Sequence, residues 1–191
     1  MNDKEWHSIM GIFERHLVVE KELAALTVRN YKTDLSPLFE YMRMRKVVDL
    51  KALDRYDLRG YLAWLVELGY AKSSVVRKLS ALRSFLRWLL REKLVDDDPL
   101  PRRGIMRRES RLPRFLSQDE AARLMSAPDI SERLGIRDRA LLETLYAGGL
   151  RVSEVRGLDV GDVNLKTMEL RVTGKGHKQR VVLIGNAAKD F

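Results

Sequence analysis

The stretch GGLRVSEVRGLDVGDVNLKTMELRVTGKGHKQRVVLIG, residues 148–185, decides the fold. Before it the chain reads in helical periods. Within it the reading changes to strand: Val163 and Leu165 open the region, Met168, Leu170 and Val172 recur at every second residue, and Val181 to Ile184 is a short apolar run. Alternation of that kind describes a strand with one face buried. TGKGHK, residues 173–178, is then the turn between the last two strands, and its two glycines give the backbone freedom that a tight turn needs. Gly148 and Gly149 end the preceding helix, and a short helix follows from about Val152. This part of the chain is therefore α+β, helices first and then a small antiparallel sheet.

Two cations stand out in it. Arg151 falls at a helix start, where the positive end of the backbone dipole favours acids over bases. A guanidinium there, beside two glycines, suits a place where it and helix N–H groups converge on one anion, with Glu154 three residues on to hold it; the plainer reading is a surface arginine after a Gly-Gly helix stop. Lys175 sits between glycines at a hairpin tip, with no neighbour for its stem. It is either a solvated tip residue or an ammonium carried by a mobile hairpin into a phosphate site as a proton donor. Lys178 and Arg180 follow, so that the hairpin is expected to offer three cations to one surface. The glycine and lysine spacing fits no nucleotide-binding P-loop.

Working outward, Ser117 and Glu120 form a capping box for a helix through about Ala127, and Ala140, Leu141, Thr144 and Leu145 mark another over about 136–147. The first half reads as four helices. Trp6, Met10, Phe13 and Leu17 define the first. Thr27 caps a second with Val28, Tyr31, Leu35, Leu38 and Met42, and Pro37 predicts a kink or break in it. Asp54 and Asp57 cap the third, which Gly69 ends. Ser73 and Ser74 open the fourth, which runs to about Lys93. On that fourth helix Val75, Leu79, Leu82, Leu86 and Leu89 share one face, and Arg77, Ser80, Arg83, Ser84, Arg87 and Arg91 the other. The polar face has no acid before Glu92, so its arginines repel one another at i,i+4 unless phosphates relieve them. Between the halves, DDDPLPRRGIMRRESRLPR (96–114) holds three prolines and six arginines. It reads as a linker, either a solvated loop or an arm along a phosphate backbone.

Composition agrees with this reading. The 191 residues suffice for one ordinary domain or two small ones, and 45% hydrophobic content supports packed cores. Thirty-six Lys and Arg against 27 Asp and Glu give a formal charge of +9, which favours a polyanionic partner, nucleic acid before an acidic membrane surface. Cysteine is absent, which excludes disulfides and thiolate metal sites. The start lacks a signal-peptide layout and no apolar run approaches the roughly 20 residues that cross a bilayer, so a cytoplasmic protein is expected. The scattered histidines give no reason to expect a metal.

The combination RDRALLETLYAGGLRVSEVRGLDVGDVNL (137–165) followed by VTGKGHKQRVVLIG (172–185) resembles the tyrosine recombinase family, the phage-integrase and Xer-type site-specific DNA recombinases. LTVRNYKTDLSPLFEYM (26–42) and SSVVRKLSALRSFLRWLLREKLVDDDPL (73–100) resemble the opening and the last helix of that family's core-binding domain, and RLPRFLSQDEAARLM (111–125) the entry to its catalytic domain. The resemblance implies a mainly α fold: a four-helix SAM-like core-binding domain over 1–95, a linker over 96–114, and the start of an α+β catalytic domain over 115–191. It implies that Arg151 binds the scissile phosphate, that Glu154 positions the site and that Lys175 protonates the leaving 5′ oxygen. The expected DNA contacts are Arg29, Lys32, Arg77, Arg83, Arg87, Arg91, Lys178 and Arg180. No metal or other cofactor is expected. The partners implied are double-stranded DNA and three further protomers, identical or from a related recombinase, on synapsed DNA.

Two departures from the family pattern stand out. Leu183 occupies a place where the family usually has proline. The His-x-x-Arg motif and nucleophilic tyrosine that follow the hairpin in the family have no counterpart here: Tyr31, Tyr41, Tyr56, Tyr61 and Tyr70 lie in the helical half, and Tyr146 reads as core. The expectation is a chain that binds DNA and carries part of an active site without the nucleophile. A catalytically inactive module that occupies recombination sites, or pairs with full-length protomers, is the alternative; a helical interaction protein with incidental charge is a third.

Overall fold

The computed structural model describes residues 2–100 and 114–191, excluding the Lys175 side chain, and most of the expected linker with its arginines Arg102 to Arg111 lies outside these residues. The chain divides into two compact units, Met1–Arg111 and Leu112–Phe191. Among the described residues no helix is long and apolar enough to cross a membrane.

The first unit is built from helices α1 (Asp3–Arg15), α2 (Ala25–Met44), α3 (Arg55–Glu67) and α4 (Lys72–Arg91). Asn2 and Glu5 cap α1 reciprocally, as Asp54 and Asp57 cap α3, so that orphan N–H groups at both starts are satisfied. A π-helical turn, His16–Glu20, continues α1. The core gathers Trp6, Phe13, Leu38, Leu65, Val75, Phe85, Leu86 and Leu89, with Phe13 and Phe85 edge to face at 5.0 Å. The expected apolar face of α4 is buried in full, and Ala81, Phe85 and Trp88 widen it because α4 packs against both α2 and α3.

Three sequence expectations need correction. Helix α2 starts at Ala25, ahead of Thr27, and α4 at Lys72, ahead of Ser73; neither Ala24 nor Ala71 at the caps offers a side-chain bond. Pro37 does not break α2, which runs through it. Proline cannot donate to the carbonyl four residues back. Here that carbonyl, on Thr33, accepts from Ser36 Oγ at 3.2 Å and from Lys78 Nζ of α4 at 3.4 Å. Tertiary packing thus satisfies the group that Pro37 leaves unpaired.

The second unit carries α5 (Gln118–Ser126), α6 (Arg133–Gly148), α7 (Val152–Arg156), strands β1 (Val163–Asn164), β2 (Glu169–Thr173) and β3 (Gln179–Leu183), and α8 (Asn186–Lys189). The Ser117–Glu120 capping box starts α5, and Gly149, at φ +55°, ends α6. The sheet is antiparallel in the order β1-β2-β3, with Leu170 opposite Val182 and Val172 opposite Arg180. Its inner face buries Leu170 and Val172 against Leu150 and Ile184. Tyr146, expected in the core, is 63% exposed on α6, on a side of the helix that its neighbours α5, α7, α8 and β3 do not cover. Arg139 of α6 pairs with buried Glu143 at 2.7 Å and donates to the Met125 carbonyl, fixing α6 to the end of α5.

Candidate active site and nucleic-acid interface

In the second unit Arg151 and Arg180 converge on Glu154, whose side chain is 2% exposed although it is ionisable. It lies in the first turn of α7, and Oε2 accepts the backbone N–H of Arg151 at 2.9 Å, while Oε1 accepts from Arg151 Nη1 at 3.0 Å. The carboxylate therefore fixes both the main chain and the guanidinium of Arg151, whose side chain is 72% exposed. The backbone donor of Arg151 is spent on Glu154, so the guanidinium is the group that this residue presents.

Arg180 also requires correction. The sequence leads one to expect it on one surface of the hairpin with Lys175 and Lys178. Its place opposite Val172 gives it the inward parity of Val182, and its Nη1 and Nη2 grip Glu154 Oε1 and Oε2 at 2.8 and 2.9 Å. Lys178 is exposed, as expected of a groove-facing cation. The hairpin closes through Gly174 N–H to the Lys178 carbonyl at 2.8 Å, and at its tip Gly176 (φ +75°) and His177 (φ +58°) take left-handed backbone. A Cβ on Gly174 would stand 3.1 Å from Glu154 Oε1 and 3.3 Å from Arg180 Nη1. Glycine is what lets the backbone next to Lys175 pass beside the Glu154–Arg180 pair.

The fork from Arg180, followed by the Arg151 N–H, draws the Glu154 carboxyl down from its ordinary 4.5 to about 2, against the opposing effect of burial, and Glu154 in turn raises the Arg180 value. A depressed carboxyl stabilises the fold above its ordinary value, and the contribution is lost as pH falls through the folded one. The second unit should therefore lose thermal stability between pH 4.5 and about 2. In Glu154→Gln that slope should flatten; an unchanged slope in melts of the variant would refute the assignment.

In the first unit the basic face of α4 is less bare than the helix alone indicates. Arg77 pairs with Asp34 of α2, and Asp34, 3% exposed, also meets Lys78 Nζ at 3.4 Å. Arg91 binds Glu20 at 2.9 Å and Glu92 at 2.8 Å, and its Nη2 lies 3.1 Å from His16 Nδ1. Lys32 pairs with Glu14 at 2.7 Å. The expectation of an uncompensated arginine row is thus corrected for Arg77 and Arg91, because acids arrive from neighbouring elements. Arg83 and Arg87 have no ion pair among the described residues; Arg87 Nε donates to the Arg83 carbonyl at 3.2 Å. Arg29 is exposed beside Lys32. No group of three or more His, Asp and Glu able to hold a metal occurs among the described residues.

A two-unit chain with a helical bundle first, then two arginines on one buried acid beside a β-hairpin, has known counterparts. Residues 12–93 match the family described as phage integrase, N-terminal SAM-like domain, and residues 114–191 match the phage integrase family. The chain belongs to this family of tyrosine recombinases. Tyrosine recombinase XerC of Pelotomaculum thermopropionicum is 44% identical over 180 residues, 92% of this chain and 59% of that protein. Tyrosine recombinase XerD of Proteus mirabilis is 40% identical over 187 residues, 98% of this chain and 59% of that protein. The chain thus spans about three fifths of the length of these curated relatives. Among solved structures, XerH recombinase bound to its difH substrate gives a TM-score of 0.65 at 20% identity, over 89% of this chain and 51% of that one. A lambda integrase tetramer bound to a Holliday junction gives 0.70 at 18%, over 97% and 53%. At these identities the likeness concerns the fold.

Proposed function

We propose that this chain supplies the DNA-clamping part and the first half of the active site of a site-specific DNA recombinase, one that cuts and rejoins strands through a 3′-phosphotyrosine. The observation that carries the reading is the exposed Arg151 guanidinium held from behind by buried Glu154, with the hairpin at Gly174 so near that a Cβ there would stand 3.1 Å from the same carboxylate. Phosphoryl transfer asks a protein chiefly for positioning and compensating charge. Arg151 binds the non-bridging oxygens of the scissile phosphate as a fork, and Glu154 orients it. Lys175 donates a proton to the leaving 5′ oxygen. Arg83, Arg87, Arg29 and Lys178 meet the DNA backbone, while Lys32, Arg77 and Arg91 serve first their own acids. The working partner is double-stranded DNA in the cytoplasm, held by a tetramer of this protein or of it with a related recombinase. No metal or nucleotide takes part.

If about six phosphates are neutralised, log K against log salt should fall with a slope of roughly −5. Arg83→Ala with Arg87→Ala should weaken duplex binding far more than Lys46→Ala in the same titration, and equal losses would mean another face carries the DNA. The proton-donor role is tested in a chimaera that carries this chain in place of the matching part of the P. thermopropionicum relative. Lys175→Ala should slow strand cleavage, and a substrate with sulfur at the 5′ bridging position should restore it, since a thiolate leaves without a proton. The same substrate should not restore Arg151→Ala. Rescue of both, or of neither, would return Lys175 to a solvated tip.

A further inference from the structure

Three charged groups share the Glu154 site, and their arithmetic has a functional meaning. Glu154 carries one negative charge and Arg151 one positive, so by themselves they form a neutral pair with little to attract a phosphate. Arg180 adds a second positive charge, engages both carboxylate oxygens through its two terminal nitrogens, and leaves only one contact, Oε1, shared with the Arg151 guanidinium. Charge-assisted fork contacts of this type are the strong ones, so the carboxylate is taken chiefly by Arg180. The group left over is the more exposed of the two arginines, Arg151 at 72% against 40% for Arg180.

We propose that Arg180 is a positioning residue: by taking up both oxygens of Glu154 from the inner face of β3, it keeps that acid from cancelling Arg151 and leaves the Arg151 guanidinium with net positive charge for a phosphate. The role rests on the proposed phosphate-binding function of Arg151. It also joins the hairpin to the arginine. At Gly174, the residue before Lys175, an added Cβ would crowd both Glu154 Oε1 and Arg180 Nη1, so the root of the hairpin tip passes beside the carboxylate that holds the guanidinium. Arg180 itself need not touch DNA. Its effect passes through Glu154, and removing the charge of Glu154 should make Arg180 dispensable for phosphate binding.

The experiment is a double-mutant cycle in the 191-residue chain, with two readouts. The first is the carboxyl titration of Glu154 followed by carbon NMR without DNA. In Arg180→Ala its midpoint should rise from about 2 towards the ordinary carboxylate range. In Arg180→Lys, which keeps the charge but offers no fork and covers the case in which alanine impairs folding, it should rise part of the way. The second is affinity for a short duplex. Arg180→Ala should lose roughly tenfold, about as much as Arg151→Ala, and Arg180→Ala with Glu154→Gln should recover most of that loss. A direct DNA contact by Arg180 predicts no such recovery. An unmoved Glu154 midpoint in both Arg180 variants, or additive losses in the cycle, would overturn the inference. A moved midpoint with Arg151→Ala binding duplex as well as the parent would instead overturn the proposed role of Arg151.

Discussion

Arg151→Ala should lower single-turnover strand cleavage about 10²–10³-fold in the chimaera with the P. thermopropionicum relative, the usual cost of removing one preorganised donor from developing charge. The geometry gives this variant its large effect. Arg151 is held by its own backbone and side chain on one buried carboxylate, so its guanidinium is ordered before any phosphate arrives. Arg151→Lys should recover little, because an ammonium is a point charge and cannot bridge two oxygens while also contacting Glu154. Duplex binding, spread over many phosphates, should change far less than the rate. A rate loss matched by an equal loss of affinity would mean that Arg151 serves ground-state binding alone.

Asp34→Ala should destabilise the first unit by about 3–5 kcal/mol, read as the chemical-denaturation midpoint of its helical signal. Lys78 is 3% exposed and its ammonium has three neighbours: Asp34 Oδ1 at 3.4 Å, the Thr33 carbonyl at 3.4 Å and the Tyr70 ring at 4.9 Å. Removing the acid leaves a buried charge with only a carbonyl and a ring. Replacing both partners together, Asp34→Ala with Lys78→Met, should recover most of the loss, since the penalty lies in the orphaned charge and not in the missing bond. No recovery would place the cost in packing at α2.

Much of this was legible in the sequence where the information is local. Capping boxes at Asp54 and Ser117, the glycine stop at Gly149 and the alternation of Leu170 and Val172 all depend on neighbours within a few residues. The four helices, the small sheet and the family resemblance followed from such signals. What was misread depends on partners distant in the chain. The arginine row of α4 looked uncompensated because Asp34 lies 43 residues before Arg77. Pro37 looked like a break because Lys78 comes from another helix. Arg180 was assigned to the hairpin surface with Lys178, although its parity with Val182 and Ile184 points inward; that period-two count was the available signal. Tyr146 reads as core from its place in the helix before Arg151, and nothing local shows which side of α6 is covered. For the buried Arg139–Glu143 pair the i,i+4 spacing was visible, but nothing in the sequence indicated its burial.

The cluster at the α2–α4 seam has a consequence for where Arg83 and Arg87 stand. Thr33, Asp34 and Lys78 can satisfy one another at only one axial offset of the two helices. A slip of one turn, about 5.4 Å, would strand the buried ammonium of Lys78 and the buried carboxylate of Asp34. Hydrophobic side chains alone tolerate such a slip far better than charges do. Arg83 and Arg87 follow Lys78 by five and nine residues, roughly 7.5 and 13.5 Å along the axis. Their separation from α2 is therefore set by a polar pin inside the bundle, which serves as the datum from which the outer face of α4 is measured.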